Sequence, residues 1–206
     1  MMSNKEIRSF EFEVRAEQNE VHGHFLTGRP IVYGVRTDLG YMDEIIESGA
    51  LDETDLRDVR FLVNHNTDMI PLARSRNNTE NSTMQMVVDS EGMGIRVDLD
   101  TENNADAKAL YSAVQRGDIT GMSFMFTIDD KEYENLESDH PTRHVRKIGR
   151  VFEVSACTFP AYSATSLQAR GLADALESAK ASLDSERAKL KAIEDQKTRI
   201  RILSMT

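Results

Sequence analysis

The chain has 206 residues, 39% hydrophobic and 29% charged, with a formal net charge of −10, which suits one domain of ordinary size plus an appendage. Residues 171–206 hold seven Lys/Arg and six Asp/Glu, while residues 1–170 carry 18 basic against 29 acidic groups. That acidic body argues against nucleic-acid binding, which needs clustered Lys and Arg. The single cysteine, Cys157, excludes an intrachain disulfide framework. No apolar run approaches the ~20 residues that span a bilayer, and the first ten residues hold no signal-peptide core, so a soluble cytoplasmic protein without membrane contact is expected.

In chain order, the first ~165 residues read as strands with few helices, an α+β, mainly β pattern. Phe10, Phe12 and Val14 alternate with Glu11, Glu13 and Arg15, which predicts a half-buried strand. Strands over residues 21–26 and 31–35 follow, with Thr27-Gly28-Arg29-Pro30 as the turn between them. Residues 84–88 and 94–99 form a hairpin around Asp89-Ser90-Glu91-Gly92. A helix spans Ala105 to Gln115: Asn103 or Asn104 caps its start, Ala107, Leu110, Tyr111 and Val114 form its apolar stripe, and Gly117 supplies a left-handed stop. Residues 129–143 are polar and poor in β-branched side chains, predicting a long exposed excursion between strands.

After Pro160 the composition shifts to Ala, Leu, Glu and Lys. Leu176, Ala179, Leu183, Leu190, Ile193 and Ile200 fall on heptad a and d positions interrupted by Glu186 and Lys197. The expected division is a body over residues 1–168 and, over 169–206, an amphipathic helical tail that docks on its own domain or a partner.

Three apolar, strand-like runs each carry a residue that burial ordinarily excludes. His65 ends residues 61–65, Ser123 lies within 121–126, and Glu153 lies within 151–160. One base, one hydroxyl and one carboxylate on separate strands make a charge-oriented nucleophile where they converge, as acyl transfer requires. Each also has a plainer reading. Ser123, opposite in parity to Met122, Phe124 and Phe126, points toward a cleft or solvent, and its plainer reading is a surface strand serine. His65 is a structural strand-end histidine, and Glu153 is a salt-bridge partner of Arg146 or Arg150. Asp68 is a rival orienter, too near His65 along the chain to reach the far side of its ring.

Gly121-Met122-Ser123-Phe124-Met125 lacks the second glycine and strand-to-helix switch of a nucleophile elbow, which disfavours an α/β-hydrolase. His22 and His24 lie on one strand face without a third metal ligand, so neither metal nor cofactor is expected, and a metal hydrolase is a remote reading. Cys157 reads as core filler. His140 and His144 flank the polar excursion without evident partners.

Taken together, these islands resemble the prohead maturation proteases of tailed bacteriophages, serine peptidases whose fold is like that of the herpesvirus assemblins. The resemblance spans roughly residues 10–168. It runs through Glu44-Ile45-Ile46-Glu47-Ser48-Gly49-Ala50-Leu51, His65 with Pro71-Leu72 six residues on, Gly121-Met122-Ser123-Phe124-Met125-Phe126 and, most specifically, Glu153-Val154-Ser155-Ala156-Cys157-Thr158-Phe159-Pro160-Ala161-Tyr162. It implies a small β-barrel flanked by helices, with His65 as general base, Ser123 as nucleophile and Glu153 as orienter.

The implied substrates are the scaffold region of the major capsid protein and the chain itself, cut inside the assembling prohead in the host cytoplasm. A homodimer or a coat-bound form is also implied. The family pattern often has glycine where this chain has Ala73 and Met125, which bears on the oxyanion site; Arg143 and Arg146 are the side-chain candidates for it. The reading from another class is a non-catalytic capsid assembly factor, in which the body binds and the tail works.

Overall fold

A computed structural model of the chain describes residues 5–10, 14–158 and 170–203. Long strands with few helices give a mixed α+β, mainly β architecture closed by one C-terminal helix. The larger sheet runs β1 (Lys5–Phe10), β10 (Gly121–Glu134), β11 (Thr142–Cys157), β5 (Asp43–Ile46) and β4 (Arg36–Asp38). Strand β11 is long enough to take a second neighbour beyond β5: β6 (Asp58–Val63) pairs with it, and β7 (Ala73–Arg76) pairs with β6. The smaller sheet runs β2 (Val14–Asn19), β3 (Gly23–Val32), β9 (Gly92–Leu99) and β8 (Met84–Asp89). Among the described residues these pairings leave both sheets open, so the strand ladders do not close the barrel that the resemblance implies.

One apolar cluster joins the two sheets. Leu26, Ile31, Met93 and Val97 from the smaller meet Phe61, Phe124, Phe126, Val151 and Val154 from the larger. Burying each such side chain favours folding by about 1.5–3 kcal/mol, which makes this cluster the main source of cohesion. Helix α1 (Ala105–Gln115) inserts Ala107, Leu110 and Val114 into the cluster, and its N-cap Asn104 accepts the amides of Asp106 and Ala107. At Gly92 (φ 136°) a Cβ would lie 2.1 Å from the Ile31 carbonyl oxygen, so β9 enters beside β3 only with glycine there.

The hairpin around residues 89–92, helix α1 with its Asn104 cap, and Gly117 in the left-handed region all match expectation. Four expectations do not hold. The run from Phe10 to Val14 is not one strand: β1 ends at Phe10 in the larger sheet and β2 begins at Val14 in the smaller. Phe12 lies outside the described residues. Val21 is 83% exposed in the turn ahead of β3, so that strand starts two residues later.

Thr27 to Pro30 do not turn. Strand β3 passes straight through, with a register shift between Gly28 and Ile31 that accommodates the proline's missing N–H. Nor are residues 129–143 an excursion. Strands β10 and β11 stay paired out to Glu134 and Thr142, and cross-strand charge pairs such as Arg146–Glu132 and His144–Glu134 stand in for apolar alternation.

Helix α2 (Arg170–Leu203) packs against β1 and buries Ala179 and Leu183 on Met42. Farther along, Ile193 and Ile200 are 49% and 62% exposed, so the heptad seam is covered by the body only near its start. Among the described residues no helix is long and apolar enough to cross a membrane.

Candidate active site

Strand β11 positions the site because it is flanked on both sides at one end. Along Glu153–Ala156 it runs parallel to β6, with Ser155 opposite Leu62. On its other side it runs antiparallel to β10, with Ser123 opposite Ser155 and Met125 opposite Glu153. Directly paired residues share a face, so Ser123, Ser155 and Glu153 project together.

His65 reaches them through a turn that strand geometry alone would not supply. Beyond Val63, Asn64 (φ 51°) and His65 (φ 56°) both adopt the left-handed region, which costs a non-glycine residue about 1–2 kcal/mol. Four hydrogen bonds hold the turn. The Asn64 amide donates to the Ala156 carbonyl (2.9 Å). The Asn64 side chain accepts from the Thr158 amide and donates to the Thr158 hydroxyl, each at 3.0 Å. The His65 amide donates to Ser155 Oγ (3.1 Å). The turn thus folds the imidazole back over the end of β11.

There the ring bridges the other two side chains. His65 Nδ1 lies 2.6 Å from Glu153 Oε1, and Nε2 lies 2.5 Å from Ser123 Oγ. The second carboxylate oxygen of Glu153 accepts the Ser155 hydroxyl at 2.5 Å. Ser155 therefore ties both the carboxylate and the histidine backbone. Ser123 and Ser155 are fully buried and Glu153 is 3% exposed. Burial disfavours the imidazolium, but hydrogen bonding with Cys157 and Glu153, together with the Glu153 charge, outweighs it and pushes the His65 pKa up to about 10. The Ser123 hydroxyl also donates to the Arg8 carbonyl oxygen of β1 at 2.6 Å.

The three residues singled out from the sequence are thus brought together through His65, and the plainer readings of Ser123 as a surface serine and of Glu153 as a partner of Arg146 or Arg150 do not hold. Arg146 pairs with Glu132 and Arg150 with Asp55, not with Glu153. Asp68 faces outward, its amide on Asn66 Oδ1. Ser123 does not face solvent: it is fully buried beneath β1, with its hydroxyl on the Arg8 carbonyl. Arg143 and Arg146 do not address Ser123. Arg146 is on the exposed far half of the hairpin, and Arg143 is engaged with Glu6 and Glu44.

His24 Nδ1 meets Thr101 Oγ1 at 2.7 Å and His22 approaches Asp98, so the two histidines part rather than share an ion. His140 and His144 do have partners, Asp43 and Glu47 respectively. Among the described residues, Asp38, Asp43 and His140 could converge on a cation, but Asp43 already pairs with Arg36. Phe159 to Tyr162 lie outside the described residues.

A second buried polar cluster lies under β1. Arg8 and Arg143 are interlocked with Glu6 and Glu44. Arg8 Nη2 is 3.0 Å and Arg143 Nε 2.8 Å from Glu44 Oε2, and Arg143 Nη2 is 2.7 Å from Glu6 Oε2. Burial pushes the Glu44 carboxyl up, but Arg143 and Arg8 outweigh it and bring it down to about 2.

The site residues that sequence reading missed are Asn64, Thr158, Ser155 and Arg8. Ser155 alone left a signal, its shared parity with Glu153.

A family described as caudovirus prohead serine protease matches residues 10–178 of the chain. None of the curated proteins matches. Among solved structures, that of the bacteriophage T4 capsid assembly protease is similar at 11% identity and a TM-score of 0.37, covering 74% of this chain and 98% of that one.

Proposed function

Because the chain belongs to the caudovirus prohead serine protease family, we propose that it is an endopeptidase in which Ser123 is the nucleophile, His65 the proton carrier and Glu153 the residue that orients His65. The observation that carries this reading is the single imidazole held between a carboxylate at 2.6 Å and a hydroxyl at 2.5 Å. Ser123 Oγ attacks the scissile carbonyl as His65 Nε2 takes its proton. The tetrahedral intermediate collapses as that proton passes to the leaving amine. Water, deprotonated by the same nitrogen, then releases the acyl group and restores the hydroxyl. Glu153 keeps Nδ1 protonated and stabilises the imidazolium, and Ser155 keeps Glu153 aimed.

The substrate is the scaffold region of the coat protein inside the assembling shell, and the chain also cuts itself. Residues 1–168 form the proteolytic body. Residues 169–206 dock it on coat or scaffold subunits, a reading supported by the exposed Ile193 and Ile200 beyond the helix's own contact. Expression with the coat protein tests this reading. Wild-type chain shortens its partner and itself, and Ser123→Ala does neither. Continued processing by Ser123→Ala would remove Ser123 from the mechanism.

A further inference from the structure

Strand β1 is an edge strand laid antiparallel on β10 along Lys5–Phe10, with Ser9 opposite Ser123. The family match begins only at residue 10, so nearly all of β1 lies ahead of it. Its placement is that of a peptide at a protease site: main chain paired with the nucleophile's strand, one carbonyl against the nucleophile. That carbonyl belongs to Arg8.

The contact also accounts for the hydroxyl's proton. Ser123 has one O–H and two acceptors within reach, the Arg8 oxygen at 2.6 Å and His65 Nε2 at 2.5 Å. Donation to Arg8 requires His65 Nε2 to be the donor toward Oγ. The ring is then doubly protonated and unable to act as base. The raised His65 pKa fits that state. With Ser123 fully buried, no substrate carbonyl reaches it while β1 is in place.

Besides its ladder with β10 and the packing of α2, β1 is held by the Glu6–Arg8–Glu44–Arg143 cluster, in which it supplies one acid and one base to a complementary pair from β5 and β11. Removal of β1 frees the Met122–Thr127 edge of β10 and leaves the Glu44–Arg143 pair of β5 and β11 without the two side chains that β1 had set against it. We infer that this edge is the substrate-binding groove: the scissile segment lies antiparallel on β10 in the place of β1, a basic side chain on Glu44, an acidic one two residues earlier toward Arg143, and the protein is latent until β1 leaves. This rests on Ser123 being the nucleophile. The substrate class is an extended peptide with an acidic–x–basic pattern ending at the cut, as in Glu6-Ile7-Arg8. Release of β1 exposes a row of unpaired N–H and C=O groups on β10, a template on which another extended chain can pair.

The test compares the full chain with Glu6→Ala/Arg8→Ala, which unlatches β1 and leaves the groove pair intact. Both receive a fluorophosphonate and two quenched peptides, one containing Glu-Ile-Arg-Ser and one the charge-reversed Arg-Ile-Glu-Ser. Expected are Ser123 labelling at least about tenfold faster in the unlatched variant, since reactivity scales with the open fraction. The variant should also prefer the first peptide by roughly 30-fold, the penalty of opposing like charges in a buried pocket.

Equal labelling of both chains, or no preference between the peptides, overturns the inference and leaves the peptidase reading intact. No labelling of either chain overturns the peptidase reading itself, and the inference with it. If the unlatched variant does not fold, Ile7→Cys with Met125→Cys makes the converse test, because these residues are direct partners across β1 and β10. Oxidation should suppress labelling and reduction restore it. Labelling unaffected by oxidation overturns the inference.

Discussion

The molecule buries two polar clusters on neighbouring strands, and they differ in how their hydrogen bonds close. Under β1, two guanidinium groups face two carboxylates, and the ionic partners satisfy one another. Around His65, a single carboxylate meets an imidazole and the Ser155 hydroxyl, and the Ser123 proton on the ring's other side has two acceptors to choose between. A closed cluster fixes geometry, whereas an open one keeps a proton free to move. Burial of polar groups alone therefore does not mark chemistry; an unsettled proton within them does.

Breaking each cluster should produce different losses. Ser123→Ala removes the mobile proton and should cut processing by ~10⁴–10⁶-fold without lowering the melting temperature. Glu153→Gln keeps the shape but loses control of the His65 tautomer, and should cost ~10⁴-fold in turnover with near-normal peptide binding. Glu44→Ala does the reverse. It strands two buried guanidinium groups and should destabilise the fold by about 3–5 kcal/mol in denaturant titration.

A smaller change sharpens the contrast. Ser155→Ala frees one carboxylate oxygen and one backbone amide, and should lower kcat by about 10–100-fold while KM stays put, as befits a positioning residue. Acid titration separates the clusters most gently. Glu44 goes from the ordinary 4.5 down to about 2 in the folded chain, so its stabilisation is complete above 4.5 and lost as pH falls toward 2. The His65 shift is upward, from 6.5 to about 10. Its stabilisation is present below 6.5 and lost as pH rises through 10, while peptide hydrolysis by chains whose β1 has left climbs over that same interval. A flat rate between pH 7 and 10 would contradict this.

His65, Ser123 and Glu153 could be picked from the sequence because each interrupts an apolar run, and such interruptions are costly unless the residues meet. Their supports could not be picked the same way. Asn64 and Thr158 matter only through a left-handed turn, and Ser155 only through its register beside both β6 and β10. Strand β1 was missed because Ile7 and Phe10 are its sole apolar residues; pairing with β10 and the ionic cluster make it a strand. The same cause hid the far half of the β10–β11 hairpin, where charge pairs replace hydrophobic alternation. Proline at position 30 misled in the other direction, since a bulge absorbs what would otherwise break β3.

The parallel pairing of β6 with β11 bears on when the centre can come into being. His65 and Glu153 are 88 residues apart along the chain, and no local hairpin can unite them. At about 5–20 residues per second, Glu153 leaves the ribosome roughly 4–18 s after His65. A nascent polypeptide thus carries His65 for all of that time, but Ser123, 30 residues ahead of Glu153, for only about 1.5–6 s before the carboxylate follows. Completion waits until nearly the whole β body has been translated, which separates the birth of the chain from the onset of any cutting it does.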